Sequence, residues 1–155
     1  MKCAIELNQI VENIQTIQQA QKLAEEMRIQ RAIMEARENS EYFCETVIAR
    51  KLEQVAKKGE RTCEIILGLH VNDAFSGMEL YGPIEPDGLT YADGTVSMRV
   101  VKDKALSVDA IVSYLQKHCY EVFISCDLLP FKEYGCGWQQ GRCLRISIPE
   151  KTPCA

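Results

Sequence analysis

Residues 47–70 read VIARKLEQVAKKGERTCEIILGLH, and the fold turns on them. Val47, Ile48, Leu52 and Val55 recur at helical spacing. Lys57 and Lys58 then place cations in a last turn, and Gly59 supplies a residue that can end a helix. From Thr62 to His70, Cys63, Ile65, Ile66, Leu67 and Leu69 form a mostly apolar run, which predicts a buried strand. No glycine or proline occurs before Gly59, whereas all nine glycines and all five prolines follow. The chain therefore divides into a helical arm, 1–58, an α+β body, 59–148, and a flexible tail, 149–155.

Working back from Gly59, Leu7, Ile10, Ile14 and Ile17 repeat at the 3-4 spacing of a helix seam. The register then reaches Gln21, Ala24, Arg28 and Arg31, and the seam weakens. A second stripe begins with Leu23 and Met27 and continues to Ile33 or Met34. Asn39-Ser40 is the one interruption, with Ser40 suited to cap a second helix. Two layouts follow: one helix of about 80 Å at 1.5 Å per residue, or a helical hairpin broken at 39–40. A break or a kink there is the favoured layout. Either way the stripe at Leu7, Ile10, Ile14 and Ile17 needs a cover: the arm packs back on itself and the body, or it pairs with another chain, most simply as a symmetric dimer.

Working forward, Met78–Ile84 reads as a short strand. Leu89–Tyr91, Ala92-Asp93-Gly94 and Thr95–Val101 read as a hairpin, because Asp-Gly supplies the positive φ of a tight turn. Ser107 caps a helix carrying Val108, Ile111, Val112 and Leu115. Tyr120–Cys126 and Cys143–Ile148 alternate as strands, with Leu144, Ile146 and Ile148 on one side. The expected body is a small, mostly antiparallel sheet with one packed helix.

Net charge is −4. The arm balances nine basic side chains against nine glutamates, so the body carries the imbalance. No basic surplus is available for phosphate contacts, and direct nucleic-acid binding is not expected. The opening Met-Lys-Cys-Ala-Ile-Glu lacks the apolar core of a secretory leader. No apolar run approaches the ~20 residues that cross a bilayer. The expected place is the cytoplasm, with no membrane contact. There thiols stay reduced, so Cys44, Cys63, Cys119, Cys126 and Cys143 read as small core residues.

Residues 62–98 hold Glu64, Asp73, Glu79, Glu85, Asp87 and Asp93 and not one Lys or Arg. Such a run could present a negative face to a basic protein surface. The plainer reading is that these are solvated turns, in which Asp and Gly set geometry. The segment 128–141 holds Phe131, Tyr134 and the single tryptophan, Trp138, among glycines. It reads as a loop that either anchors a partner or folds over the sheet as a lid. Cys119, Cys126, Cys136 and Cys143 are separated by gaps of six, nine and six residues. Structural zinc pairs lie two to four apart, so no metal is assigned. No cofactor is implied either. His70 beside Asp73 and His118 beside Cys119 are the only base candidates, and no catalytic motif accompanies them, so enzymatic function is not favoured.

A helix ending in "VAKKGE", a strand, a helix followed by "YEVFIS" and a closing "LRISIP" resemble small uncharacterised accessory proteins of bacteriophages and mobile elements of Gram-positive bacteria. The resemblance covers about residues 45–148. It implies a binder or inhibitor of host machinery, defence nucleases included. The expected function is thus a non-catalytic protein-binding module acting by occlusion and oligomeric through its arm. The alternative is a small-molecule or nucleotide binder, or an enzyme, with a pocket under 128–141.

Overall fold

The computed structural model describes residues 1–69, 79–101, 103–133 and 137–151. Helix α1 spans Ala4–Phe43, a π-helical turn covers Cys44–Ile48, and α2 continues over Ala49–Lys57. Then follow β1 (Thr62–Leu69), β2 (Tyr81–Thr90), β3 (Val96–Val100), α3 (Val108–Lys117), β4 (Glu121–Glu133) and β5 (Gly137–Ser147). The fold is α+β, with a long N-terminal helix ahead of an antiparallel sheet. Two compact units divide the chain, Met1–Met34 and Glu35–Ala155. Residues 35–58, read from the sequence as arm, thus share a unit with the sheet.

The expected break at 39–40 is absent, because α1 runs through both residues. Ser40 is no cap; it is fully buried. Its hydroxyl donates to the Ala36 carbonyl at 2.6 Å and accepts from the Ser107 amide at 2.8 Å. Bonding back to i−4 satisfies the side chain without interrupting the helix. Asn39 adds a bond from Nδ2 to the Ala105 carbonyl at 3.3 Å.

Four residues farther on, the helix changes pitch. Ser40, Cys44, Ile48 and Leu52 are all buried and sit at strict four-residue intervals. On an α-helix such a stripe winds about 40° per step, since each residue turns about 100°. The i→i+5 bonding of a π turn advances less per residue. The Cys44–Ile48 turn therefore takes back part of the drift and keeps these side chains against the sheet.

Both α2 and α3 end in a Schellman motif. After α2, the Glu60 amide donates to the Val55 carbonyl and Gly59 to Ala56, with Gly59 at φ 75°. After α3, Tyr120 donates to Leu115 and Cys119 to Gln116, with Cys119 at φ 68°. Ser107 accepts from the Ala110 amide at 3.3 Å, the cap expected of it.

The sheet order is β3-β2-β1-β5-β4, and every adjacent pair is antiparallel. β3 and β4, at opposite ends of that order, also touch, so the sheet coils on itself. Tyr81–Pro83 of β2 pair with β1, and Ile84–Pro86 and Thr90 pair with β3. Pro86, which cannot donate a ladder bond, thus lies where β1 makes no demand on it. The sequence reading split β2 in two and made Glu85–Gly88 a turn. The chain instead stays extended, and the register shifts between Pro86 and Thr90. Gly88, at φ 87°, supplies the left-handed residue such an irregularity uses.

One face of the sheet makes the core. Cys63, Ile65, Leu67, Leu144 and Ile146 pack with Phe43, Cys44, Ile48 and Leu52 and with Val108, Ile111 and Leu115 of α3. Gly68 permits a close approach on β1: a Cβ there would lie 2.3 Å from Val100 Cγ2.

Candidate protein-interaction surfaces

The arm lays its apolar residues bare. Cys3 precedes α1, and its amide donates to Glu6 Oε2 at 3.0 Å, half of a capping box. Leu7, Ile10, Ile14 and Ile17 are each 43–53 % exposed. Leu23, Met27 and Met34 are similarly bare. At about 100° per residue, this second stripe lies ~140° around the helix from the first. Val11 widens the first stripe.

The acidic segment lacks counterions in its own sequence but not in space. Arg145 reaches Glu64 at 3.0 Å, Arg142 reaches Glu79 at 3.0 Å, and Arg99 pairs with Glu85. Such surface pairs add little stability, but they cancel much of the local field. Asp87 accepts from the Leu89 amide at 3.0 Å and from the Ser97 hydroxyl at 2.7 Å. Asp93 accepts from the Thr95 amide at 2.9 Å. These aspartates hold the β2–β3 hairpin, Asp93 from the turn that the plainer reading expects and Asp87 from extended strand where that reading expects a turn. Asp73 lies outside the described residues, as do His70, Tyr134 and Cys136.

The Ser97 hydroxyl and then the Leu89 amide hold Asp87 below its ordinary value of 3.8. A carboxyl depressed in the folded state adds stability above its unfolded pKa, and that stability fades as pH falls through the folded pKa. Amide exchange at Leu89 should therefore accelerate, beyond its intrinsic pH trend, below about pH 4. Asp87→Asn should remove that acid limb.

The segment 128–141, read as a loop, is mostly strand. β4 runs to Glu133 and β5 starts at Gly137, with Lys132 opposite Trp138. A register irregularity between Leu128 and Lys132 accommodates Pro130 on an edge strand. Phe131 and Trp138 are strand residues whose side chains the structure does not describe. The sequence reading overlooked Phe123. It is 70 % exposed, at the register position opposite Arg145, which in turn faces Glu64. Strand alternation alone places it there, opposite in parity to Val122 and Ile124, but its apolar character hides the outward direction.

A cleft of about 420 Å³ lies between α3 and the sheet, lined by Glu79, Tyr81, Ser107, Asp109, Ile124 and Arg142 among others. Tyr81 donates to Glu79 at 2.6 Å, and the Arg142 guanidinium lies 5.4 Å from the Tyr81 ring centre. An apolar groove of about 240 Å³ runs along the π turn, lined by Tyr42, Phe43, Val47, Pro83, Val101 and Leu106 among others.

The cysteines need two corrections. Cys119 is disulfide-bonded and not a reduced core thiol; its left-handed backbone puts it at the helix end, outside the core cluster. Cys126 and Cys143 are not opposite each other. Cys143 pairs in register with Ser125, and Cys126 with Arg142. Cys44 and Cys63 are buried as expected. Burial, then Glu41 and Glu45, pushes the Cys44 thiol up to about 12, so it stays protonated at neutral pH and is no nucleophile. His118 stacks on Tyr114 at 4.4 Å, with Nδ1 2.9 Å from the Tyr114 carbonyl. Among the described residues, no three His, Cys, Asp or Glu side chains gather where they could hold a metal. No helix among them is long and apolar enough to cross a membrane.

Comparison with protein-family models, with curated proteins and with solved structures finds no match.

Proposed function

We propose that the protein is a non-catalytic binding module. Its arm joins copies of the chain, and its sheet-bearing unit occludes a protein partner. The carrying observation is the arm's exposure: seven large apolar side chains in two stripes stand bare along one helix. Contiguous apolar surface of that kind marks a protein–protein contact. On the sheet, Phe123 offers an aromatic anchor beside the Glu64–Arg145 pair, the composition of an interface centre with a polar rim. The neutralised acids argue for this face over a purely basic partner groove. The likeness to phage and mobile-element accessory proteins carries the reading to a host protein, defence nucleases included; the cytoplasm stays the proposed place, and the Cys119 disulfide is the observation against it.

The test has two arms. Ile10→Asp/Ile14→Asp is expected to reduce the assembly to single chains by light scattering, as is truncation ahead of Glu35. Neither change should lower the melting temperature of the sheet-bearing unit by more than a few degrees, because every core residue lies beyond Met34. A full-length chain that is monomeric at high concentration would sink the oligomer. Phe123→Ser is then expected to release whatever bacterial protein the wild type retains.

The cleft at Tyr81 and Arg142 favours a second reading, a small-molecule or nucleotide binder. It moves the expected pocket from beneath 128–141 to the start of α3. A metabolite that raises the melting temperature, while the arm variants leave function intact, would favour it.

A further inference from the structure

We propose that the arm gathers three or four copies of the chain into a parallel, in-register bundle rather than a dimer. This rests on the self-association part of the proposed function and goes beyond it in number and direction.

The heptad register is unambiguous. Leu7 to Ile10 is a step of three and Ile10 to Ile14 a step of four, so Leu7 and Ile14 take position a, and Ile10 and Ile17 position d. Two-stranded coils want β-branched residues at a and leucine at d. Here both d residues are isoleucine, and one of the two a residues is leucine. That pattern shifts preference to three or four strands. Val11, at an e position and half exposed, widens the stripe as a larger bundle requires.

Area points the same way. Leu7, Ile10, Val11, Ile14 and Ile17 are each about half exposed and offer on the order of a few hundred Å² of apolar surface. Each partner in a stable pair buries about 800 Å². A dimer over three helical turns covers only the seam, whereas a bundle lets each arm bury both flanks of its stripe.

Charge permits the alignment. In a parallel pair each g residue meets the e residue five places on, which here gives Glu6 with Val11, Asn13 with Gln18, and Ala20 with Glu25. No like charges oppose each other. In register, Gln21 at a meets Gln21 and their amides can bond across the axis. Shifted or reversed, the amide faces apolar layers, as with the single polar a residue that fixes register in other coils. Cys3, exposed and free, occupies the preceding d position.

Sedimentation equilibrium of the full chain should give three or four times 17.6 kDa. Leu7→Ile/Ile10→Leu/Ile17→Leu places isoleucine at a and leucine at d, and should bring the mass down to two chains. It alters no core residue, and an unchanged circular dichroism spectrum and melting temperature of the sheet-bearing unit serve as the folding check. A short bismaleimide joins one thiol to one thiol, so it should link Cys3 of neighbouring chains into covalent pairs, a trifunctional maleimide should carry the linkage to three chains, and Cys3→Ser should abolish both bands. A two-chain wild type overturns this inference while leaving self-association standing. A single-chain wild type overturns both. An equal mass for wild type and triple variant overturns the side-chain argument, and a failure of Cys3 to cross-link overturns the parallel register.

Discussion

Leu144→Ala should cost about 2–5 kcal/mol, the range for a leucine truncated in a tight core. Leu144 is fully buried on β5, opposite Ile65 of β1 on one side and Ile124 of β4 on the other. It stands at the middle of the one apolar face, where neither neighbouring strand can move in without breaking ladder pairs. Domains of this size hold only about 5–15 kcal/mol in total, so the variant should lose much of its stability. Urea unfolding should show the midpoint fall with an unchanged slope. Leu144→Met, which conserves volume, should cost under ~1.5 kcal/mol. A Leu144→Ala loss below ~1 kcal/mol would mean that the core is not packed as described.

Inserting one alanine after Val47 should be nearly as damaging, although Val47 itself is exposed. The π turn over Cys44–Ile48 already holds one residue more than an α turn, so a deletion there can be absorbed by closing to α-helix, whereas a further inserted residue cannot be. The following segment then turns by about 100° relative to the preceding one. Leu52 and Val55 would swing off the sheet, forfeiting about 3–5 kcal/mol of apolar burial. Val47→Ala, which keeps the residue count, should change stability by under ~0.5 kcal/mol. If insertion and alanine substitution behaved alike, the wide turn would have no packing role.

Much of the body was legible. The Lys-Lys-Gly stop, β1, the Asp-Gly hairpin, the Ser107 cap and the outward alternation of β5 rest on local chemistry, and local chemistry is written in neighbouring residues. The failures were long-range. Ser40 looked like a cap because its partner, the Ser107 amide, is 67 residues away. Pro86 looked like a turn residue because nothing local says that β2 leaves β1 after Pro83. The acidic run looked uncompensated because Arg142 and Arg145 return from the last strand. The π turn was half visible in the four-residue interval of Ser40, Cys44, Ile48 and Leu52, whose meaning depends on the sheet beneath it.

The strand order has a consequence for how the chain is made. β1 sits at the centre, yet its second neighbour is the last strand to leave the ribosome. At roughly 5–20 residues per second, the edge from Cys63 to Leu67 waits about 4–16 s for Ile146 to Arg142. During that interval an apolar, unpaired edge is open to any other nascent strand. Yield in the cell should therefore respond to translation rate and to chaperone supply more than the stability of the finished molecule suggests.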